Sequence, residues 1–121
     1  MRMLGKKIAV LAADGVEDLE FYVPLMRLRE EGADVLAAGL ELKTARGKNG
    51  LVITPDTRLD ALRSEELAAV IVPGGWAPDK LRRDPQVTRL IREMDAARKI
   101  LGFICHGGLV AISAGIVRGR R

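Results

Sequence analysis

The chain has 121 residues, 48% of them hydrophobic and 30% charged, with 20 Lys and Arg against 16 Asp and Glu and a formal net charge of +4. That is one domain with room for a core and with the balance of a soluble globular chain. No apolar run is long enough for a bilayer span, and basic residues alternate with acids, as in "DKLRRDPQVTRLIREMDAARK", with the terminal "RGRR" as the one unrelieved basic cluster, so no basic stripe with stacking aromatics is offered to nucleic acid. Cys105 is the only cysteine, which permits no disulfide within the chain and suits a reducing, cytoplasmic setting.

The elements alternate in type. "KIAVLAA" (7–13) is a continuous apolar run of the kind that forms a buried parallel strand, and it explains the apolar start better than a signal peptide does. "EDLEFYVPLMRLREEG" follows with helical periodicity. Leu19, Tyr22, Val23 and Met26 share one side, acids occupy the first turn, and Gly32 is a stop. Pro24 predicts a kink or a fresh first turn there. "ADVLAAG" (33–39) reads as a second buried strand. Residues 40–58, around "GKNG", read as an edge hairpin or two short strands. "LDALRSEEL" predicts a short connecting helix, and "AAVIVPGG" (68–75) a third buried strand ending in a tight turn.

"DPQVTRLIREMDAARK" is amphipathic, with Val87, Leu90, Ile91 and Met94 as the inner stripe, Asp84 as N-cap and Pro85 at the first helical position. "ILGFI" (100–104) predicts another buried strand, and "GGLVAISAG" a helix closed by Gly115. Such alternation predicts an open α/β sandwich with a mainly parallel sheet, whose ligands bind beyond the carboxyl ends of the strands.

Three of those ends carry chemistry. Cys105 sits where a strand turns sharply into a helix, as at a nucleophile elbow. Gly107 and Gly108 give the turn room, and the following helix terminus favours a thiolate. The alternative is a small buried thiol that packs as a hydrophobe. His106, the only histidine, is placed to act as its base or electrostatic partner. Glu17, Asp18 and Glu20 follow the first strand. Each reads as a helix-starting acid, or as a carboxyl that reaches the thiol. In "PGGWAPD", Gly74 and Gly75 allow inward-turned N–H groups to form an oxyanion site, and Trp76 walls the cleft or meets another subunit. Asp79 is a candidate for orienting His106. One Cys and one His fall short of a closed zinc set, and "GKNG" lacks the flanking pattern of a phosphate loop, so neither metal nor cofactor is expected.

"AADGVEDLEFYVPLMRLREEGADV", "VIVPGGWAPDKLRRD" and "ICHGG…ISAGIVRGRR", in this order, resemble the ThiJ/PfpI superfamily, and within it the PfpI-like intracellular proteases and general stress proteins. The resemblance runs almost from end to end. It implies a flavodoxin-like, three-layer α/β sandwich akin to class I glutamine amidotransferase domains. Cys105 would be the nucleophile, Glu17 the carboxyl on its thiol and His106 the base. The backbone amides of Gly75 and His106 would be the oxyanion donors, with Gly74, Gly107 and Trp76 around them. The residue at Asp79 is a Glu supplied by a neighbouring subunit in many relatives, which implies a homo-oligomer. The family extends past the point matching Arg121 with further strands and a C-terminal helix. The expectation is therefore a single domain over 1–121, C-terminally shortened, with apolar surface left exposed. The implied activities are cysteine-dependent hydrolysis of peptides, glyoxalase III-like or deglycase action on methylglyoxal or its adducts, and non-enzymatic oxidative-stress sensing or chaperoning.

Overall fold

The computed structural model describes residues 1–120. Its centre is β1 (Lys7–Ala12), whose apolar run is buried on both faces from Ile8 onward. A strand of this kind needs neighbours on both sides to satisfy its backbone. It finds β2 (Asp34–Gly39) on one side and β6 (Ala69–Val72) on the other, so that Val10 stands level with Ala37 and Ile71. β5 (Thr57–Arg58) extends the sheet beyond β2 and β7 (Ile100–Phe103) extends it beyond β6, giving the order β5-β2-β1-β6-β7, all parallel. The sheet leaves β1 in one direction and returns past it in the other, which opens a crevice at the carboxyl ends of β1 and β6.

The four main strands and the parallel sheet agree with the sequence pattern. So does α3 (Pro85–Ala96): Asp84 accepts from the Gln86 N–H at 2.8 Å, and Val87, Leu90, Ile91 and Met94 are all buried. Each such side chain contributes about 1.5–3 kcal/mol when taken from water. β3 (Ala45–Arg46) and β4 (Val52–Ile53) form the expected hairpin.

Four expectations are corrected. α1 (Asp18–Glu30) runs through Pro24, but its interior residues are Phe21 and Leu25. The stripe of Leu19, Tyr22, Val23 and Met26 points to solvent. Phe21 and Leu25 are four apart and lie over β1 and β2, so a narrow pair suffices to seat the helix and the wider stripe is left outside. "LDALRSEEL" is two 3-10 turns, Leu59–Ala61 and Ser64–Glu66, rather than a helix. Only Leu59 and Leu67 reach the core, too few to anchor an α-helical face. "PGGWAPD" is not wholly loop, because α2 (Ala77–Leu81) begins inside it with Pro78 in its first turn. β7 is an edge strand: Ile100 is exposed, and Leu101, Gly102 and Phe103 are half-buried, because among the described residues no strand pairs on its outer side.

The two faces of α1 are separable by stability. Phe21→Ala is expected to cost about 3–5 kcal/mol in urea unfolding. Val23→Ala, measured at high dilution, is expected to stay within about 0.5 kcal/mol. Equal losses would mean that the stripe, not Phe21, seats the helix.

Candidate active site

The site is built where β7 hands over to α4 (Gly108–Ala114) through a 3-10 turn at Cys105–Gly107. The Ile104 N–H donates to the Val72 carbonyl at 3.0 Å, and the Gly107 N–H donates back to Ile104 O at 2.8 Å. Between these bonds the chain must reverse within three residues, and it does so by putting Cys105 at φ +52°. A residue with a Cβ rarely adopts that left-handed conformation, and its strain persists only where the surroundings enforce it. The enforcing contact is at Gly107, where a Cβ would overlap the Val72 carbonyl oxygen. The result is the expected elbow, with an exposed Cys105 thiol at the top of the sheet.

His106 follows it outward. Cys105 Sγ and His106 Nδ1 are 3.4 Å apart, so a thiol proton is within reach of the imidazole, or an imidazolium N–H within reach of a thiolate. Both groups border a cavity of about 510 Å³ that Glu17, Lys48, Trp76 and Asp79 also line. On the other side of Cys105 lies an apolar hollow of about 760 Å³, walled by Phe103, Leu109, Ile112 and Val117.

The glycine loop closes against the elbow. The Glu17 N–H donates to Gly74 O at 3.1 Å and the Trp76 N–H to Gly15 O at 2.8 Å, which pins the loop to the end of β1. Gly74 is close enough that a Cβ would lie 2.9 Å from Ile104 O and 3.1 Å from His106 N. Its own N–H is taken by Glu20 Oε1 at 2.9 Å, so Gly74 is a spacer and not an oxyanion donor. Gly107 is likewise a packing residue, since its N–H serves Ile104. Gly75, at φ +80°, and His106 have no acceptor for their N–H groups among the described residues. Two unpaired donors beside a thiol are what an oxyanion requires.

Glu17 is the N-cap of α1. Its Oε2 accepts from the Glu20 N–H at 2.9 Å, and its Oε1 from Asn49 Nδ2 at 3.3 Å. It faces the same cavity as Cys105, but its hydrogen bonds go to these nitrogens and not to the sulfur. Asp79 is exposed and paired with Arg83 at 3.3 Å, so within one chain it does not orient His106. Trp76 is 69% exposed and carries Lys48 Nζ 5.9 Å above its ring.

Lys48 and Asn49 are site residues that sequence reasoning missed, while Glu20, one of the three acids considered for the thiol, holds the glycine loop instead. Lys48 and Asn49 arrive through Asp18, whose carboxylate accepts from the Asn49 N–H at 3.1 Å and the Leu51 N–H at 3.0 Å and so latches the hairpin to the start of α1. No spacing announces such a bond between residues more than thirty apart. Among the described residues there is no group of three or more His, Cys, Asp and Glu placed to hold a metal ion, and no helix is long and apolar enough to cross a membrane.

The sequence profile of the DJ-1/PfpI family matches residues 6–121. The chain belongs to the DJ-1/PfpI family. It is 36% identical to Deglycase PfpI of Pyrococcus furiosus over 95% of this chain and 69% of that one. It is 38% identical to Protein/nucleic acid deglycase 2 of Escherichia coli over 98% of this chain and 70% of that one. Among solved structures, a two-domain protein from Anabaena variabilis with DJ-1/ThiJ/PfpI-like and ferritin-like domains superposes with a TM-score of 0.94 at 36% identity, covering 96% of this chain. The chain spans 34% of that two-domain protein's length. The flavodoxin-like α/β fold of this family is thus the fold of the chain.

Two substitutions test the elbow. Cys105→Gly relieves a left-handed residue and is expected to raise stability by about 1 kcal/mol, while Gly107→Ala drives a methyl into the Val72 carbonyl and is expected to lower it by about 1–3 kcal/mol. A destabilised Cys105→Gly would show that the elbow holds no strain.

Proposed function

We propose that this DJ-1/PfpI domain is a cysteine-dependent deglycase: it frees the amine or thiol of a methylglyoxal adduct, and its thiolate attacks the aldehyde carbon that had carried that group. The observation that carries the reading is Cys105, held at φ +52° with its sulfur 3.4 Å from His106 Nδ1 and two free N–H groups alongside. The names of its deglycase relatives support the substrate class.

In this scheme the carbinolamine expels its amine, which takes up the carbinol proton, and leaves an aldehyde carbon. The Cys105 proton passes to the imidazole as sulfur bonds that carbon, and the carbonyl electron pair moves to oxygen, where the N–H groups of Gly75 and His106 receive it. Glu17 would be the carboxylate that carries the proton of this carbon to the neighbouring ketone carbon, whose oxygen takes the imidazole's proton, so that a lactoyl thioester forms. Water then cleaves the enzyme–carbon bond and restores the thiol. Adduct plus water thus gives amine plus lactate, with no external oxidant or reductant. Asp79, exposed and paired with Arg83, would serve the imidazole of a neighbouring protomer rather than its own, and Trp76 would wall the cavity.

The test is lactate release from the methylglyoxal adducts of N-acetyl-lysine and N-acetyl-cysteine. Turnover is expected to fall at least 10³-fold in Cys105→Ser and about 10–10²-fold in His106→Ala. Peptide substrates form a second arm, because the same thiolate chemistry would serve a cysteine peptidase. Peptide turnover without lactate would replace the deglycase reading. Oxidation of Cys105 to sulfinic acid with no turnover in either arm would make the residue a peroxide sensor instead.

A further inference from the structure

The cavity above Cys105 holds charges of both signs, and they are unequally engaged. Glu17 accepts from the Glu20 N–H and from Asn49 Nδ2, Glu20 accepts from the Gly74 N–H, and Asp79 pairs with Arg83. Lys48 is the exception. Among the described residues its ammonium forms no ion pair, and its neighbour is the neutral face of Trp76 at 5.9 Å.

Its backbone is nonetheless fixed. The Lys48 N–H donates to Val16 O at 2.9 Å, and both neighbours are held by Asp18: the Asn49 N–H donates to its carboxylate, and Gly47 lies so close that a Cβ would overlap it. An exposed lysine ordinarily leaves its charge in water. This one is carried to the rim of a cavity that holds a nucleophile, by a turn that does not need its side chain.

The two signs also lie at different depths. Glu17 and Glu20 are half-buried, whereas Lys48 and Trp76 are exposed. A substrate with a neutral carbonyl at one end and an anion at the other therefore fits in one direction, carbonyl inward to Cys105 and anion outward to Lys48. The reversed pose sets the anion against two carboxylates.

We propose that Lys48 is a specificity-determining residue of this site and selects electrophiles that bear a carboxylate. On the deglycase reading, on which this substrate assignment rests, these are the methylglyoxal adducts of free amino acids. Adducts of internal lysine side chains and of amino-acid amides carry no carboxylate beside the amine. The dimensions agree. A round cavity of about 510 Å³ is about 10 Å across. A reacting carbon about 3 Å from the sulfur, about 4 Å of adduct between that carbon and the carboxylate, and an ion contact of about 3 Å fill that width. Lys48 meets only the end of the substrate that does not react, so its contact is the same before and during the reaction and is read in KM rather than kcat.

Two measurements on the full chain test it, and the first needs no turnover. Cys105 is the only cysteine, and its sulfur displaces iodide from the same CH2 carbon in iodoacetate and in iodoacetamide, so the two reagents differ in charge. A change in thiol acidity alters both rates together and cancels from their ratio. The acetate-to-acetamide rate ratio is expected to fall about 3–5-fold in Lys48→Gln, the effect of one exposed ion contact, to fall further in Lys48→Glu, and to be kept in Lys48→Arg. Salt at about 1 M, where the screening length is about 3 Å, is expected to lower the wild-type ratio likewise. Lys80→Gln, which removes an exposed charge outside this cavity, is expected to keep it. The second measurement is kcat/KM for lactate release from the methylglyoxal adducts of alanine and alaninamide, whose acid-to-amide ratio is expected to fall by the same factor in Lys48→Gln, through KM. An alkylation ratio unmoved by Lys48→Gln, or moved equally by Lys80→Gln, would overturn the proposal. So would an alkylation ratio that shifts while lactate release keeps its acid-to-amide ratio. A shifted alkylation ratio with no lactate from either adduct upholds the charge selection and removes the deglycase reading.

Discussion

The carbonyl group of Val72, at the last residue of β6, is the point on which the rest of the site depends. It accepts the Ile104 N–H and so sets the height at which β7 ends. It also meets Gly107 closely enough to exclude any side chain there. The chain reverses above it within residues 105–107, with Cys105 left-handed and its sulfur exposed. The reactive position is thus a consequence of how two neighbouring strands end, not of any special property of the cysteine. The glycine loop uses the same close approach from the other side, since Gly74 brings its chain against Ile104 and His106.

α1 divides into three parts. Its N-terminus presents Glu17 to the cavity and Glu20 to the glycine loop. Its inner residues, Phe21 and Leu25, seat it on the sheet. Its outer stripe of Leu19, Tyr22, Val23 and Met26 is exposed. A disturbance on the outer stripe reaches the cavity only through the helix as a rigid body, and the core contacts of Phe21 and Leu25 resist that motion.

Much of this was legible in the sequence, for reasons that differ by element. β1 and α3 have patterns with a single solution: a wholly apolar run with no polar face, and a stripe bounded by an N-cap and a proline. The elbow could be read because strand, cysteine and paired glycines fall in strict order. The outward turn of α1 was not legible. Periodicity says that a helix has an apolar face, but not which of two apolar sets the sheet takes, and here Phe21 and Leu25 won over a larger stripe. The exposure of β7 was hidden because "ILGFI" has the composition of a central strand, while edge position is decided by what lies beyond it. The family's motif located Glu17 and Asp79, yet their partners, Asn49 and Arg83, come from packing that no single-chain pattern records.

The bond between Asp18 and the hairpin backbone has a wider consequence. The β3–β4 unit carries Lys48 to the cavity, yet it forms its own two-stranded sheet and shares no ladder with the main one. It is held to α1 by the Asp18 carboxylate, which accepts two backbone N–H groups, and by the Asn49 amide on Glu17. A Cβ at Gly47 would overlap Asp18 Oδ1, and Gly50 is left-handed, so three of the four residues at the tip are tied to the grip or to the turn. Lys48 uses only its backbone there, and selection can exchange its side chain, and with it the charge at the cavity mouth, without loosening the hairpin.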